Sequence, residues 1–199
     1  MNVLFLAPHP DDVEMGCGAT AAKFAEEKHN ILWVVFTTQK RTSVEHMEAI
    51  RRIGLDEKNC LSLEFGNRQL PEHRKEVLDC LITIKSTFKP ALIMGPSLND
   101  FHQDHRVVAE EMMRAFKTSS SIICYELPWN HIKFDTRLFV HLEERHVEKK
   151  VDMLKKFKSQ LSVRAIKFSE ESIRGLIAVR GCQADVKYAE AFEVLRWML

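Results

Sequence analysis

Asn2-Val3-Leu4-Phe5-Leu6-Ala7, apolar throughout after Asn2, stops at Pro8-His9-Pro10-Asp11-Asp12. Six residues are too few for a buried helix and suit a strand covered on both faces, so the run reads as a buried β-strand. A helix is expected over residues 16–28, and Ile31-Leu32-Trp33-Val34-Val35-Phe36-Thr37 repeats the strand pattern with β-branched and aromatic residues. Met47, Ile50 and Ile53 then recur at helical spacing before the stop signal Gly54. The alternation continues with a strand over 61–65, a helix over 72–88 ended by Pro90, a strand over 91–94, a helix over 104–116 and a strand over 121–125. Strands and helices in this order predict a Rossmann-like three-layer α/β sandwich with a mostly parallel sheet, in one domain spanning 1–199. Ligands in such folds bind at the carboxyl edge of the strands. The last third is less regular: an outer strand over 137–142, a charged amphipathic helix over 143–158 with a solvated face, and a closing helix over 187–198 are expected.

Hydrophobic residues at 45% and charged residues at 29% leave disorder and fibrous repeats without compositional support. A net charge of +1 lacks the broad basic footprint of a nucleic-acid binder, so no nucleic-acid partner is expected. No apolar stretch approaches the ~20 residues of a membrane helix. The first apolar run turns acidic too soon for a signal peptide, so a cytoplasmic protein is expected. The five cysteines, at 17, 60, 80, 124 and 182, form no CxxC pair and read as reduced thiols. A homo-oligomer is neither required nor excluded.

Pro8-His9-Pro10-Asp11-Asp12 leaves the first strand where this fold class places chemistry. Two prolines restrict the loop. Adjacent carboxylates beside an imidazole repel each other, and a divalent cation resolves that repulsion. One imidazole and one carboxylate suit zinc; an open site needs one more protein ligand and water, which leaves the neighbouring carboxylate as a base. The local alternative is that Asp11 or Asp12 only caps the next helix.

Asp100-Phe101-His102-Gln103-Asp104-His105 follows the fourth strand and the turn-rich Gly95-Pro96-Ser97-Leu98-Asn99, so it lands on the same edge. His102 and His105 can converge on one ligand where a helix begins, and Asp104 or Asp100 can bond an imidazole and fix its tautomer. The two clusters together supply a third ligand, a base and an imidazolium.

These residues resemble the PIG-L-like (LmbE-like) zinc-dependent de-N-acetylases. Ala7 to Gly18 is similar to the family's HPDD(E/V)-x-x-G-x-G signature, and Asp100, His102, Asp104 and His105 match D-x-H-x-D-H. Glu45, Ala49, Ile53 and Gly54 fit its helical E-x-x-x-A-x-x-x-(L/I)-G, Ser159-Gln160 its SQ pair, and Arg180-Gly181 with Tyr188-Ala189-Glu190-Ala191-Phe192 its closing R-G…Y-A-E-x-F. The resemblance implies hydrolytic removal of an N-acetyl group from an amino sugar or its conjugate. Zinc would sit on His9, Asp12 and His105, with iron(II) an alternative ion for the same ligands. Asp11 would be the general base assisting attack of zinc-activated water on the amide carbonyl. His102 would be the positively charged partner of the transition state, oriented by Asp104. Candidate substrate contacts are Arg41, next to Thr42 where the family commonly carries an arginine, Asp100, and Trp129 as a sugar-stacking platform. Residues 66–71, 128–134 and 162–169 are candidate walls.

Rival readings exist. Gly16-Cys17-Gly18-Ala19-Thr20-Ala21 fits a dinucleotide-binding G-x-G-x-x-(G/A), but residues 8–15 separate it from the first strand, and Thr37-Thr38-Gln39 offers no acid for a ribose. The glycines read instead as a close approach of helix to sheet. A non-catalytic sugar-binding domain is expected to lack the base or a ligand, and all are present. A zinc amidase for another N-acyl conjugate shares the site chemistry and differs only in substrate.

Overall fold

The computed structural model describes residues 1–198. Along the chain run β1 (Asn2–Ala7), α1 (Asp12–Glu26), β2 (Asn30–Val35), α2 (Lys40–Ile50), β3 (Cys60–Ser62), α3 (Arg74–Thr87), β4 (Leu92–Gly95), α4 (Gln103–Phe116) and β5 (Ser121–Tyr125). They are followed by β6 (Leu138–Leu142), α5 (Glu144–Leu154), α6 (Lys158–Leu161), α7 (Glu170–Gln183) and β7 (Tyr188–Arg196). The seven strands form one sheet in the order β3-β2-β1-β4-β5-β7-β6. The first five in that order are parallel, and β7 is antiparallel to both β5 and β6.

Period-two alternation divides the core. Val3, Phe5 and Ala7 of β1, with Trp33 and Val35 of β2, face α1, α2, α5 and α7, whereas Leu4, Leu6, Val34 and Phe36 face α3 and α4. The chain leaves β1 toward β2 on one side and returns to β4 on the other. This reversal opens a crevice beyond the carboxyl ends of β1 and β4, where such sheets bind ligands.

Gly16 sets how closely α1 approaches the sheet: a Cβ there would lie 2.3 Å from Cδ2 of Tyr125 on β5. One residue later the helix breaks, with Cys17 at φ −149°. The Ala19 and Thr20 amides freed by the kink donate to the Glu190 carboxylate at 3.2 and 2.7 Å, and Lys150 neutralises it at 2.7 Å.

Two expectations for the last third need correction, and one helix was not expected. Residues 187–198 do not form a closing helix; β7 occupies that stretch. Tyr188-Ala189-Glu190-Ala191-Phe192 has helix-forming composition, but as a strand it supplies the partner β5 would otherwise lack on one side, and its extended backbone brings Glu190 and Glu193 to the Thr20 and Asp135 amides. α7 carries no strong sequence signal, because Gly175 and Gly181 interrupt it. The charged face of α5 is not wholly solvated, since Lys150 is buried against Glu190.

Candidate active site

The loop after β1 places Asp11 in left-handed backbone (φ 105°), a conformation that aspartate tolerates better than most residues. Its carbonyl accepts the Met15 amide and starts α1, but its carboxylate makes no capping bond. The helix-cap role considered for Asp11 is therefore met by its backbone, which leaves the side chain free.

Asp12 turns back on the loop. Its Oδ2 accepts the His9 amide at 2.8 Å and lies 3.1 Å from both His9 Nδ1 and His105 Nε2, and those two nitrogens are themselves 3.1 Å apart. Three donor atoms thus form a nearly equilateral triangle. Tetrahedral zinc with bonds of about 2.0–2.1 Å requires edges of roughly 3.3 Å, so the donor set fits one face of such a site. The far nitrogen of each ring is held by a carboxylate: His9 Nε2 by Asp104 Oδ2 at 2.9 Å, and His105 Nδ1 by Asp100 Oδ2 at 2.7 Å. Giving the outer N–H to a carboxylate turns a lone pair inward on each ring, the arrangement typical of metal-ligating histidines. His102 also brings a ring nitrogen within 4.8 Å of those of His9 and His105.

Charges respond to this crowding. Burial opposes charge on His9, but Asp104 and Asp12 outweigh it and raise its pKa to about 9. Burial likewise opposes charge on His105, while Asp12 and Asp100 lift it to about 10. Asp12 is held far below the usual carboxylate range by His105 and His9 despite its burial. The triangle thus favours positive charge at its centre, the role a bound cation would take. Asp11 moves the other way: burial, then the charges of Asp12 and Glu14, push it well above the ordinary carboxylate value. Burial, and then His105 and His9, lower the pKa of His102.

Several expected roles change. Asp104 does not orient His102 through its carboxylate, which is engaged by His9 and by the Arg68 and Leu70 amides; its own backbone N–H donates to His102 Nδ1 at 3.2 Å. Nδ1 of His102 accepts that backbone N–H, and burial with the neighbouring His105 and His9 lowers its pKa, which opposes the positive charge expected of it. Asp100 is no substrate contact, because its buried carboxylate holds His105, Asn130 and the His102 amide. Arg41 lies outside the cleft, with an exposed side chain paired to Glu45 at 3.6 Å. Trp129 does line the cleft, although the Lys167 ammonium stands 4.7 Å from its ring centroid.

All three loops named as candidate walls contribute to the cleft: Asn67 and Arg68, Trp129 and Asn130, Arg164 and Lys167. Trp129 apart, the sequence did not single out these residues, because nothing in their local pattern marks them. Gln160 is also on the wall; Glu45 accepts the Ser159 amide at 2.9 Å and its hydroxyl at 2.5 Å, so the helical motif anchors the SQ pair.

A Rossmann-like sandwich with two His/Asp loops meeting at its switch point defines a class of α/β proteins with a polar site at the carboxyl edge of the sheet. Within it, the GlcNAc-PI de-N-acetylase family (PIG-L) matches residues 4–116, from within β1 to the end of α4, and the chain belongs to that family. Uncharacterized deacetylase YaiS of Escherichia coli (strain K12) is 28% identical over 170 residues, covering 79% of this chain and 91% of YaiS. Diacetylchitobiose deacetylase of Thermococcus kodakarensis is 27% identical over 121 residues, 53% of this chain and 45% of that enzyme. Among solved structures, the conserved protein TT1542 from Thermus thermophilus shares the fold with a TM-score of 0.81 and 23% identity, covering 99% of this chain and 96% of that one. No helix among the described residues is long and apolar enough to cross a membrane.

Proposed function

We propose that this chain is a zinc-dependent hydrolase that removes the N-acetyl group of an amino sugar or amino-sugar conjugate, working as one domain in the cytoplasm. The observation that carries the reading is the 3.1 Å triangle of His9, Asp12 and His105, each histidine backed by a carboxylate, beside the unengaged carboxylate of Asp11. Relatives named as deacetylases support it. Five free cysteines support the cytoplasmic assignment.

His9, Asp12 and His105 would hold the ion, with iron(II) able to replace zinc on this donor set. When bound, it supplies Lewis acidity that polarises the acetyl carbonyl and makes water acidic near neutral pH. Asp11 takes the proton from water as the oxygen attacks the carbonyl carbon. Its raised pKa suits it to hold that proton and pass it to the nitrogen as the C–N bond breaks, releasing acetate and the free amine. His102 donates from Nε2 to the oxyanion, a neutral hydrogen bond aimed where charge develops. Asp104 and Asp100 are positioning residues.

The test is a screen of N-acetylated sugars scored for released acetate, with zinc-loaded and chelated protein side by side. Acetate that depends on restored metal is the expected result. Metal-bound, folded protein that releases acetate from no member of the panel, while cleaving other N-acyl amines, would transfer the site to the amidase reading.

A further inference from the structure

Three side chains that do not line the cleft form a relay of their own across α1, α2 and β3. Glu14 Oε1 lies 2.7 Å from Nδ1 of His46, and Nε2 of the same ring lies 3.4 Å from Sγ of Cys60. Glu14 and His46 are fully buried, whereas Cys60 is half-buried on β3, an edge strand of the sheet, with the hydroxyl of exposed Ser62 3.6 Å from its sulfur. The set is hidden in the sequence because its members belong to three separate elements. Parallel pairing of β3 with β2 puts Cys60 opposite Trp33, whose ring packs on that of His46, and so brings the thiol to the imidazole.

Acid, imidazole and thiol in this order are the parts of an activated nucleophile: the carboxylate orients the ring, and the ring takes the proton of the sulfur. Among the described residues Glu14 has no hydrogen-bond partner except His46, and its second oxygen is buried without one. Burial opposes charge on the ring, but Glu14 and then the Cys60 contact lift its pKa to about 9. The charged ring holds on Nε2 the proton that Cys60 gives up. No other cysteine is so placed. Burial pushes the thiols of Cys17 and Cys124 well up and raises that of Cys80, and Cys182 is exposed without a side-chain hydrogen bond among the described residues.

We propose that Cys60 is an oxidisable nucleophile served by His46 and Glu14, a modification site whose reactant is hydrogen peroxide. The sulfur attacks one peroxide oxygen, the S–O bond forming as the O–O bond breaks. The departing hydroxide takes the proton from Nε2 of His46 and leaves as water. Sulfur is oxidised by two electrons to the sulfenic acid, and peroxide is reduced by two. A half-buried sulfur at a strand edge admits so small a reactant, and the Ser62 hydroxyl stands beside the oxygen that is added. The assignment is independent of the deacetylase reading.

The experiment is a pulse of hydrogen peroxide on zinc-loaded protein freed of excess metal, with dimedone present to trap sulfenic acid and mass spectrometry to follow labelling at each cysteine. The same pulse is given to the guanidinium-unfolded chain. Near neutral pH, native Cys60 is expected to be labelled about ten-fold faster than the more exposed Cys182, the order left when a larger thiolate fraction is set against lower intrinsic nucleophilicity. It should also outpace Cys60 of the unfolded chain. Burial by itself slows a thiol, so both excesses report the ring. His46→Gln should bring native Cys60 down to the rate of Cys182 or below it. Labelling of Cys60 no faster than Cys182 in the native wild-type protein, a comparison that needs no variant to fold, overturns the proposal. An advantage that His46→Gln leaves intact overturns it as well.

Discussion

Asp104 Oδ2 lies 2.9 Å from Nε2 of His9, although 95 residues separate them. The bond ties the loop after β1 to the first turn of α4, and the Arg68 and Leu70 amides fix the carboxylate from behind at 2.7 and 3.2 Å. Asp104 would therefore set the tautomer and direction of His9, proposed above as a ligand, without touching the ion. Asp104→Asn is expected to fold and to lose about 10–100-fold in zinc affinity, the usual cost of removing such a partner. Competition against a chromophoric chelator measures it, and unchanged affinity would remove Asp104 from this role.

Asp11 separates binding from turnover. Its carboxylate bonds neither His9 nor His105, so Asp11→Asn should keep the metal at near-native affinity. Loss of the base should lower kcat about 10²–10⁴-fold. Metal analysis beside an acetate assay reads both quantities, and near-native turnover would exclude Asp11 as base.

The first two thirds of the fold were legible because they rest on local rules: apolar runs of strand length, helical spacing and punctuation by Gly54 and Pro90. That the two His/Asp clusters meet at one edge was legible because each follows a strand end, the second after the turn at 95–99, whereas the choice of His9, Asp12 and His105 among them came from the family resemblance. Their outer partners were not, since a carboxylate near two histidines in sequence does not reveal which ring it meets; Asp104 sits two residues from His102 yet bonds His9. β7 was misread because Tyr188-Ala189-Glu190-Ala191-Phe192 favours a helix locally, while its state is decided by donors far away in sequence, at Thr20, Lys150 and Asp135.

Glu190 and Lys150 form a buried pair, each side chain 3% exposed. Glu190→Gln keeps an acceptor for only one of the Ala19 and Thr20 amides, which bond different carboxylate oxygens, and leaves an uncompensated ammonium, the latter a loss of roughly 3–5 kcal/mol. Glu190→Gln/Lys150→Met removes both charges and should recover most of that stability. Denaturant unfolding of the two variants tests the assignment; equal losses would show that the charge is not the issue.

His46 is expected to make stability depend on pH. It is fully buried, with Nδ1 2.7 Å from Glu14 Oε1. Burial opposes its charge, but Glu14 and the Cys60 contact raise its pKa from 6.5 to about 9. A raised folded-state pKa stabilises fully below about pH 6.5 and loses that contribution as pH climbs through about 9, at most roughly 3 kcal/mol. The melting temperature of metal-loaded protein should fall across this window, and His46→Gln/Glu14→Gln should flatten the slope. A double variant with the wild-type slope would place the titration elsewhere.

Gly16 and Gly18 belong to one motif but should respond differently to alanine. At Gly16 the new Cβ would stand 2.3 Å from Tyr125 Cδ2 and 2.7 Å from its Cγ. Tyr125 is 1% exposed and donates its hydroxyl to the Leu6 carbonyl at 3.0 Å, so the ring has nowhere to go. Gly16→Ala should therefore push α1 away from the sheet and cost about 2–3 kcal/mol. At Gly18 the closest atoms are the end of Met153 at 3.0 Å and Lys150 Cγ at 3.2 Å. A methionine tip can shift, and alanine gains roughly 1 kcal/mol over glycine in a helix, so Gly18→Ala should be close to neutral. At about 2–4 °C per kcal/mol for a chain of this size, the first variant should melt several degrees below the second. Equal melting temperatures would mean that Tyr125 does not set the distance between α1 and the sheet.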